Sequence, residues 1–469
     1  TAYRCTRYEY AQNTTGGNWL INYPLRETLH YGTCDSSAVV ADTLYRYAGS
    51  ATPTQTALDD RGLLTYVLRL TDASTNKYSM EMRTYTTQGL QKEVMTFSSA
   101  GSSSAYATNE RNRVSYEYTA LGMPKTIRTT AAGVFEQVQT ISYDPALYWL
   151  PISVADPNSI VTRYGYDLFG RLSKVAMPGD TLASPTMTYD YYDDGAPTFT
   201  SPLLVGVFYK NNIKSAERQF YDGLGRLVQT QTARAEVDGA DKDIVATTAY
   251  DARGLAVCTT VPYAVTPYVY NPNNPVTPFR TAACTTQPRT TTAYDALGRV
   301  TQVTTPDGAV TGTAYGVSAN ITVDGHGKFQ STQITDANNH QTVNYSDVFG
   351  RLVLVREFTG SGTYTAHADT RYSYDAAGNL TMVGKSVANN SQPTAFLWQT
   401  TMQYDKLGRK TNMSDPDMRE WAYIYGDDGN LIRQEHRTQT TAHHVTCFYY
   451  DNLNRLLYRA NDAPPRRAR

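Results

Sequence analysis

One short phrase recurs along this chain and decides what it can fold into. Arg163-Tyr164-Gly165-Tyr166-Asp167-Leu168-Phe169-Gly170-Arg171-Leu172 returns as Tyr221-Asp222-Gly223-Leu224-Gly225-Arg226-Leu227, as Tyr294-Asp295-Ala296-Leu297-Gly298-Arg299-Val300 and as Tyr404-Asp405-Lys406-Leu407-Gly408-Arg409. Weaker copies start at Tyr250, Tyr374, Tyr425 and Tyr450, a degenerate one runs from Asp347 to Leu352, and Tyr118-Thr119-Ala120-Leu121-Gly122 keeps Tyr and Gly but loses Asp. Tandem self-similarity of this kind marks a repeat architecture, in which each unit is stabilised by its neighbours.

Each unit reads as a β-hairpin. The Tyr-x-Tyr pairs alternate with period two, which puts both rings on one face of a strand. Asp follows, where its side chain can accept a backbone N–H two residues on, and Gly three residues later takes the positive φ that other residues resist. Arg-Leu or Arg-Val then opens the returning strand, so reversals are expected at Asp167–Gly170, Asp222–Gly225, Asp295–Gly298 and Asp405–Gly408. Motif tyrosines are spaced from 21 residues (404 to 425) to 55 (166 to 221). The longer gaps are expected to hold extra strands or loops, among them Pro-rich Val261–Pro278 and an acidic loop at Glu236–Asp243. A lone hairpin cannot hide an apolar face, so the units must pair in a row. A sheet that long must coil. The expected fold is all-β: tandem hairpins forming a continuous spiralling antiparallel sheet, with Tyr166, Tyr221, Tyr294 and Tyr404 largely buried on one face.

Composition agrees. There are 38 Tyr among 469 residues, with 32 Gly and 21 Pro to serve turns. Lys+Arg of 42 against Asp+Glu of 43 provides no electrostatic footprint for nucleic acid or an anionic membrane, and no apolar run is long enough for a spanning helix. Three regions are expected: 1–104 with degenerate repeats, 105–458 as the main array, and a basic Pro-containing tail over 459–469.

Sites for chemistry are few. Asp193-Asp194-Gly195, Asp427-Asp428-Gly429 and Asp59-Asp60 lack calcium-loop spacing and read as turns. His436, His443, His444 and Cys447 read as strand residues, since neighbours on a strand face opposite ways. No hydrolase or phosphate-loop motif is present, so catalytic, cofactor and metal sites are all expected to be absent. The repeat Arg is expected to pack over, or bond to, the next hairpin's Tyr or Asp. Cys258 with Cys284, as a cross-strand bridge, and Cys5 with Cys34 are conceivable disulfides, although an odd count of five Cys at low density argues for reduced thiols.

The Tyr-Asp-x-x-Gly-Arg-Leu repeat resembles that of the Rhs/YD-repeat family, which includes bacterial Rhs polymorphic toxins, the B and C components of insecticidal toxin complexes, and the animal teneurins. The resemblance covers about three quarters of the chain. It implies a large hollow shell of spiralling sheet, which in bacterial members encloses a toxic C-terminal domain. Bacterial shells usually close with an Asp-Pro-x-Gly autoprotease, whereas Asp415-Pro416-Asp417-Met418 and Asp156-Pro157-Asn158-Ser159 here lack the Gly. The resemblance therefore implies a non-catalytic segment of a secreted or cell-surface shell, partnered by the remainder of that shell and by an enclosed cargo. The alternative it leaves open is an extracellular adhesion module that presents the same sheet to glycans or proteins.

Overall fold

The computed structural model describes residues 4–13, 20–35, 38–48, 52, 54, 58, 61–192, 203–210, 216–237, 240–267, 279, 283–318, 321–323, 327–388, 396–437 and 443–461. Asp59-Asp60, Asp193-Asp194-Gly195 and most of the basic tail lie outside the described residues.

Among the described residues the chain is one sheet of 34 strands, with antiparallel pairing throughout. Strands follow one another in space nearly as in sequence, because each hairpin unit finds its neighbour in the next one. Two detours interrupt this order. Gln91–Phe97 pairs directly with Glu110–Tyr118, carrying the sheet past Ser104 while Gly101–Ser102 pairs back onto Lys77–Tyr85. Ala256–Thr260 pairs with Arg289–Tyr294, and Tyr263–Val265 turns back onto Ala240–Tyr250. The acidic segment expected as a loop is instead the tip of a hairpin, where Leu227–Val237 meets Ala240–Tyr250 down to the pair Val237 and Ala240. Asp241 and Asp243 fall on the same face of the strand, Asp241 exposed beside the hairpin tip and Asp243 buried further in, in line with Val245 and Thr247.

The two faces of the sheet differ. One carries the repeat tyrosines, which are half-buried rather than largely buried, because few groups beyond their strand neighbours cover them. The opposite face is roofed locally by connecting segments. Ile321 and Val323 close over Phe329, Val343, Tyr345 and Leu354, while Tyr106 and Ala107 pack against the Leu44, Leu68, Leu70, Tyr78 and Met80 cluster. The ring of Phe279 lies 5.5 Å from that of the fully buried Phe220. Both conceivable disulfides are formed, Cys5 with Cys34 and Cys258 with Cys284, at Cα separations of 5.0 and 6.2 Å. Neither is cross-strand: Cys284 sits on the short helix Ala283–Thr286, and Cys34 in the turn after Leu20–Tyr31. A strand-only reading had no place for these partners. Cys447 is a buried free thiol.

The strip winds back on itself. Arg111 pairs with Asp428 and donates to the Asp451 carbonyl at 3.0 Å, and Asn112 donates to the Asn452 carbonyl at 3.3 Å. Asn452 in turn donates to the Ala132 carbonyl. Lys406 reaches the Val39 carbonyl at 2.7 Å, Lys77 lies 3.7 Å from Asp427, and Arg4 lies over the Phe349 ring. The hydrogen-bonded contacts join residues 317 to 367 positions apart, so about that length of chain makes one revolution. In every case the repeat turns of the later revolution meet the opposite hairpin edge of the earlier one.

Arg111 is nearly buried at this seam, and removing one partner leaves the other's charge unpaired. Arg111→Met should weaken the seam by about 2 kcal/mol. Hydrogen exchange should accelerate at 98–112 and 426–452 together, while the hairpins at 221–250 keep wild-type protection.

Candidate functional site

The recurring chemistry of this chain is its turn. In the unit at Asp167, the carboxylate Oδ1 accepts the Phe169 and Arg171 amides at 2.9 Å each, and Oδ2 accepts Arg171 Nε at 2.6 Å. The same three bonds recur at Asp222 with Leu224 and Arg226, at Asp295 with Leu297 and Arg299, and at Asp405 with Leu407 and Arg409. The backbone closes around this carboxylate, with the Gly170 amide donating to the Asp167 carbonyl and the Asp167 amide to that of Arg171. Gly170 and Gly408, both at φ 76°, supply the left-handed step. Asn454 replaces glycine at φ 64° in the unit at Asp451, a substitution Asn tolerates better than most residues.

The repeat Arg bonds first to its own hairpin's Asp, because four residues across a tight turn is the shorter reach, and in the unit at Asp347 it also reaches the next unit as expected, Arg351 donating to the Asp375 carbonyl at 3.4 Å. Its other face does meet the next unit. The guanidinium carbon lies 4.2 Å from the ring centroid of Tyr191 for Arg171, 4.6 Å from Tyr250 for Arg226, 4.2 Å from Tyr315 for Arg299 and 4.5 Å from Tyr425 for Arg409. The carboxylate clamps the guanidinium so that it projects over the following hairpin, where the ring's negative face attracts it.

The tyrosine hydroxyl completes the link. Tyr374 donates to the Leu352 carbonyl at 2.8 Å, Tyr425 to Lys410 at 3.0 Å, Tyr315 to Val300 at 2.9 Å, Tyr294 to Ala256 at 2.8 Å and Tyr166 to Pro151 at 2.8 Å. Each acceptor lies two residues beyond the last backbone pair: the ladder beside Leu352 stops at Leu354 and Arg371, and that beside Lys410 at Asn412 and Ala422. The phenol thus extends a ladder that the backbone has ended, and pairs a carbonyl otherwise left unbonded. Two of the four tyrosines singled out by the motif do otherwise. Tyr221 donates to Gln219 two residues back, and Tyr404 points at the Met402 sulfur at 3.7 Å.

On the covered face lies a feature the repeat did not announce. Asp42, Asp243 and Asp369 are buried, and each is held by Arg. Asp42 takes Arg26 in a bidentate pair at 2.9 Å plus the Tyr78 hydroxyl at 2.7 Å, Asp369 takes Arg356 bidentately at 2.8 Å, and Asp243 takes Arg218 at 2.8 Å. A signal for two of them stands in the sequence: Asp42-Thr43-Leu44-Tyr45-Arg46-Tyr47 and Asp369-Thr370-Arg371-Tyr372-Ser373-Tyr374 share Asp-Thr-x-Tyr-x-Tyr. Burial and the Asp42 carboxylate push the Tyr78 phenol well above its usual range. His436 stacks on Trp421 at 4.5 Å between ring centroids, with His444 6.3 Å further across the strands. Among the described residues no group of three or more His, Cys, Asp or Glu is placed to hold a metal.

Comparisons place this architecture. A family model described as a domain of unknown function, DUF6443, matches residues 205–323. No curated protein matches the sequence. The structure of the TcdB2-TccC3 pair aligns with 99% of this chain at 16% identity and a TM-score of 0.68, over 27% of the length of that chain. TcdB2-TccC3 without its hypervariable C-terminal region gives 15%, 0.69, 99% and 29%, and the Photorhabdus luminescens Tc holotoxin pore gives 14%, 0.67, 99% and 29%. The fold is that of the Rhs/YD-repeat shells, in agreement with the motif. The chain spans under a third of the length of these neighbours.

Two predictions follow from the turn. Tyr374→Phe removes the Leu352 bond and should lower stability in urea by about 1 kcal/mol, whereas Tyr221→Phe, whose partner is on its own strand, should cost less than half of that. The Arg226 and Arg299 amides, against the opposing effect of burial, hold Asp222 and Asp295 below the usual carboxylate range. Their contribution is therefore complete above the unfolded value near about pH 4 and is lost as pH falls through the lower folded value. The melting temperature followed by circular dichroism should hold from pH 7 to 5 and drop below about pH 4, and Asp222→Asn with Asp295→Asn should flatten that drop.

Proposed function

We propose that this chain is a non-catalytic wall segment of a secreted YD-repeat shell that encloses a toxin or effector cargo. The observation that carries the reading is the alignment of 99% of the chain with the toxin-complex structures, together with a strip that winds past one revolution and bonds to itself. A wall of this kind needs rigidity along the strip and closure between revolutions. The turn clamp and the seam supply these two properties. Its ionisable groups are spent on structure: turn carboxylates on amides and Arg, buried carboxylates on Arg pairs. No helix of the described residues is long and apolar enough to cross a membrane. The alternative of an adhesion module finds no specific support in these contacts.

The test is electron cryomicroscopy of the product of the complete open reading frame that contains this strip. The expected image is a closed shell with this strip in its wall and additional polypeptide density inside. An open strip solvated on both faces, or an interior filled by the wall's own side chains, contradicts the reading.

A further inference from the structure

Every seam contact joins a repeat turn to the opposite hairpin edge, so the chain has two kinds of edge, and only part of each is used. The repeat turns at Phe349, Lys406, Asp427–Asp428 and Asn452 are docked on the edge that includes Arg4, Val39, Lys77, Arg111 and Ala132. Among the described residues the repeat turns at Asp167, Asp222 and Asp295 have no such cover. The position before the turn glycine shows a graded contrast: Leu407 in a docked turn is half-buried, as is Leu453 at the equivalent place in the unit at Asp451, and Phe349 under Arg4 is 51% exposed, whereas Phe169, Leu224 and Leu297 are 79%, 79% and 78% exposed. The unused part of the opposite edge is apolar too, with Val387, Leu397 and Met418 exposed at 67%, 71% and 54%. Val387 ends the strand Leu380–Val387, and Leu397 and Met418 immediately precede Trp398–Tyr404 and Arg419–Tyr425; among the described residues no repeat turn lies against them.

We propose that the free repeat-turn row of one chain, at Phe169, Leu224 and Leu297, docks on the free edge at Val387, Leu397 and Met418 of a second copy. The two surfaces are the same two kinds of edge that already meet inside the chain, so the junction continues an interface the structure contains. Rows of exposed apolar side chains at such a frequency mark association surfaces. The surfaces differ from each other, so the contact is heterologous and leaves one free edge of each kind on every dimer. The biological use of the junction rests on the wall reading, in which a further length of strip would sit in the second copy's place. The association itself does not.

Sedimentation velocity on the intact chain tests this. The wild type is expected to grow in mass with concentration up to about 50 µM, a range that reads weak edge contacts. Phe169→Ser/Leu224→Ser/Leu297→Ser should be monomeric, and so should Val387→Ser/Leu397→Ser/Met418→Ser, both with wild-type circular dichroism because all six side chains are exposed. Mixing the two variants should restore dimers and nothing larger, since each retains the edge the other has lost. A wild type that stays monomeric, variants that associate like the wild type, or mixed variants that remain apart would each overturn the junction. The first outcome leaves the wall reading to its own test, because a wall segment can continue into strip of other sequence.

Discussion

Everything in this structure depends on how a hairpin edge ends. An antiparallel ladder that stops leaves carbonyls without partners, and a sheet of 34 strands stops at every turn. The repeat solves this with three side chains. Asp holds the turn amides and its own Arg, Arg reaches over the next hairpin's Tyr, and that Tyr hydroxyl returns to a carbonyl beside the Arg. Arg226 on Tyr250, and Tyr250 on the Leu227 carbonyl at 3.1 Å, show the closed circuit in one pair of units. The motif is therefore a device for joining hairpins, which explains why it recurs in tandem and why single copies would serve little.

Clamped edges make the second level of structure possible. A strip with regular, rigid turns presents a row of backbone carbonyls and turn carboxylates at a fixed spacing, and the next revolution can dock on such a row. Arg111 and Asn112 use turn carbonyls at Asp451 and Asn452 as acceptors, contacts that require those turns to be held in one shape. The buried pairs on the covered face add register. Asp369 sits directly opposite Arg356, and a slip of one residue would separate them and bury two unpaired charges.

The hairpins, their order, the turn residues and the coiling sheet were legible in the sequence because all of these are local. Alternation and turn chemistry act within about ten residues, and tandem recurrence multiplies a weak signal. The partners of the repeat Arg were partly legible: the next Tyr was expected, and the next Asp, met by Arg351 at the Asp375 carbonyl, but the Asp on its own turn was overlooked. The depth of burial of Tyr166 and Tyr294 was overstated, since a ring bonded through its hydroxyl at a sheet edge keeps part of its face in solvent. The seam was not legible at all. Its residues, Lys77, Arg111, Asp427, Asp428 and Asn452, look like ordinary surface and turn residues, and what unites them is a pitch of more than three hundred residues that no local pattern encodes.

The central claim is that the strip winds back and bonds to itself, and zero-length crosslinking reads it most directly. A carbodiimide joins an amine only to a carboxylate in contact with it, and Lys77 lies 3.7 Å from Asp427 across the seam while Lys210 lies 2.5 Å from Asp180 within the strip. Mass spectrometry of the monomer band should find both the Lys77–Asp427 and the Lys210–Asp180 isopeptides, with the first lost in Lys77→Arg. Recovery of the Lys210–Asp180 link alone from wild-type monomer would mean that the strip does not close on itself, and the account would fail.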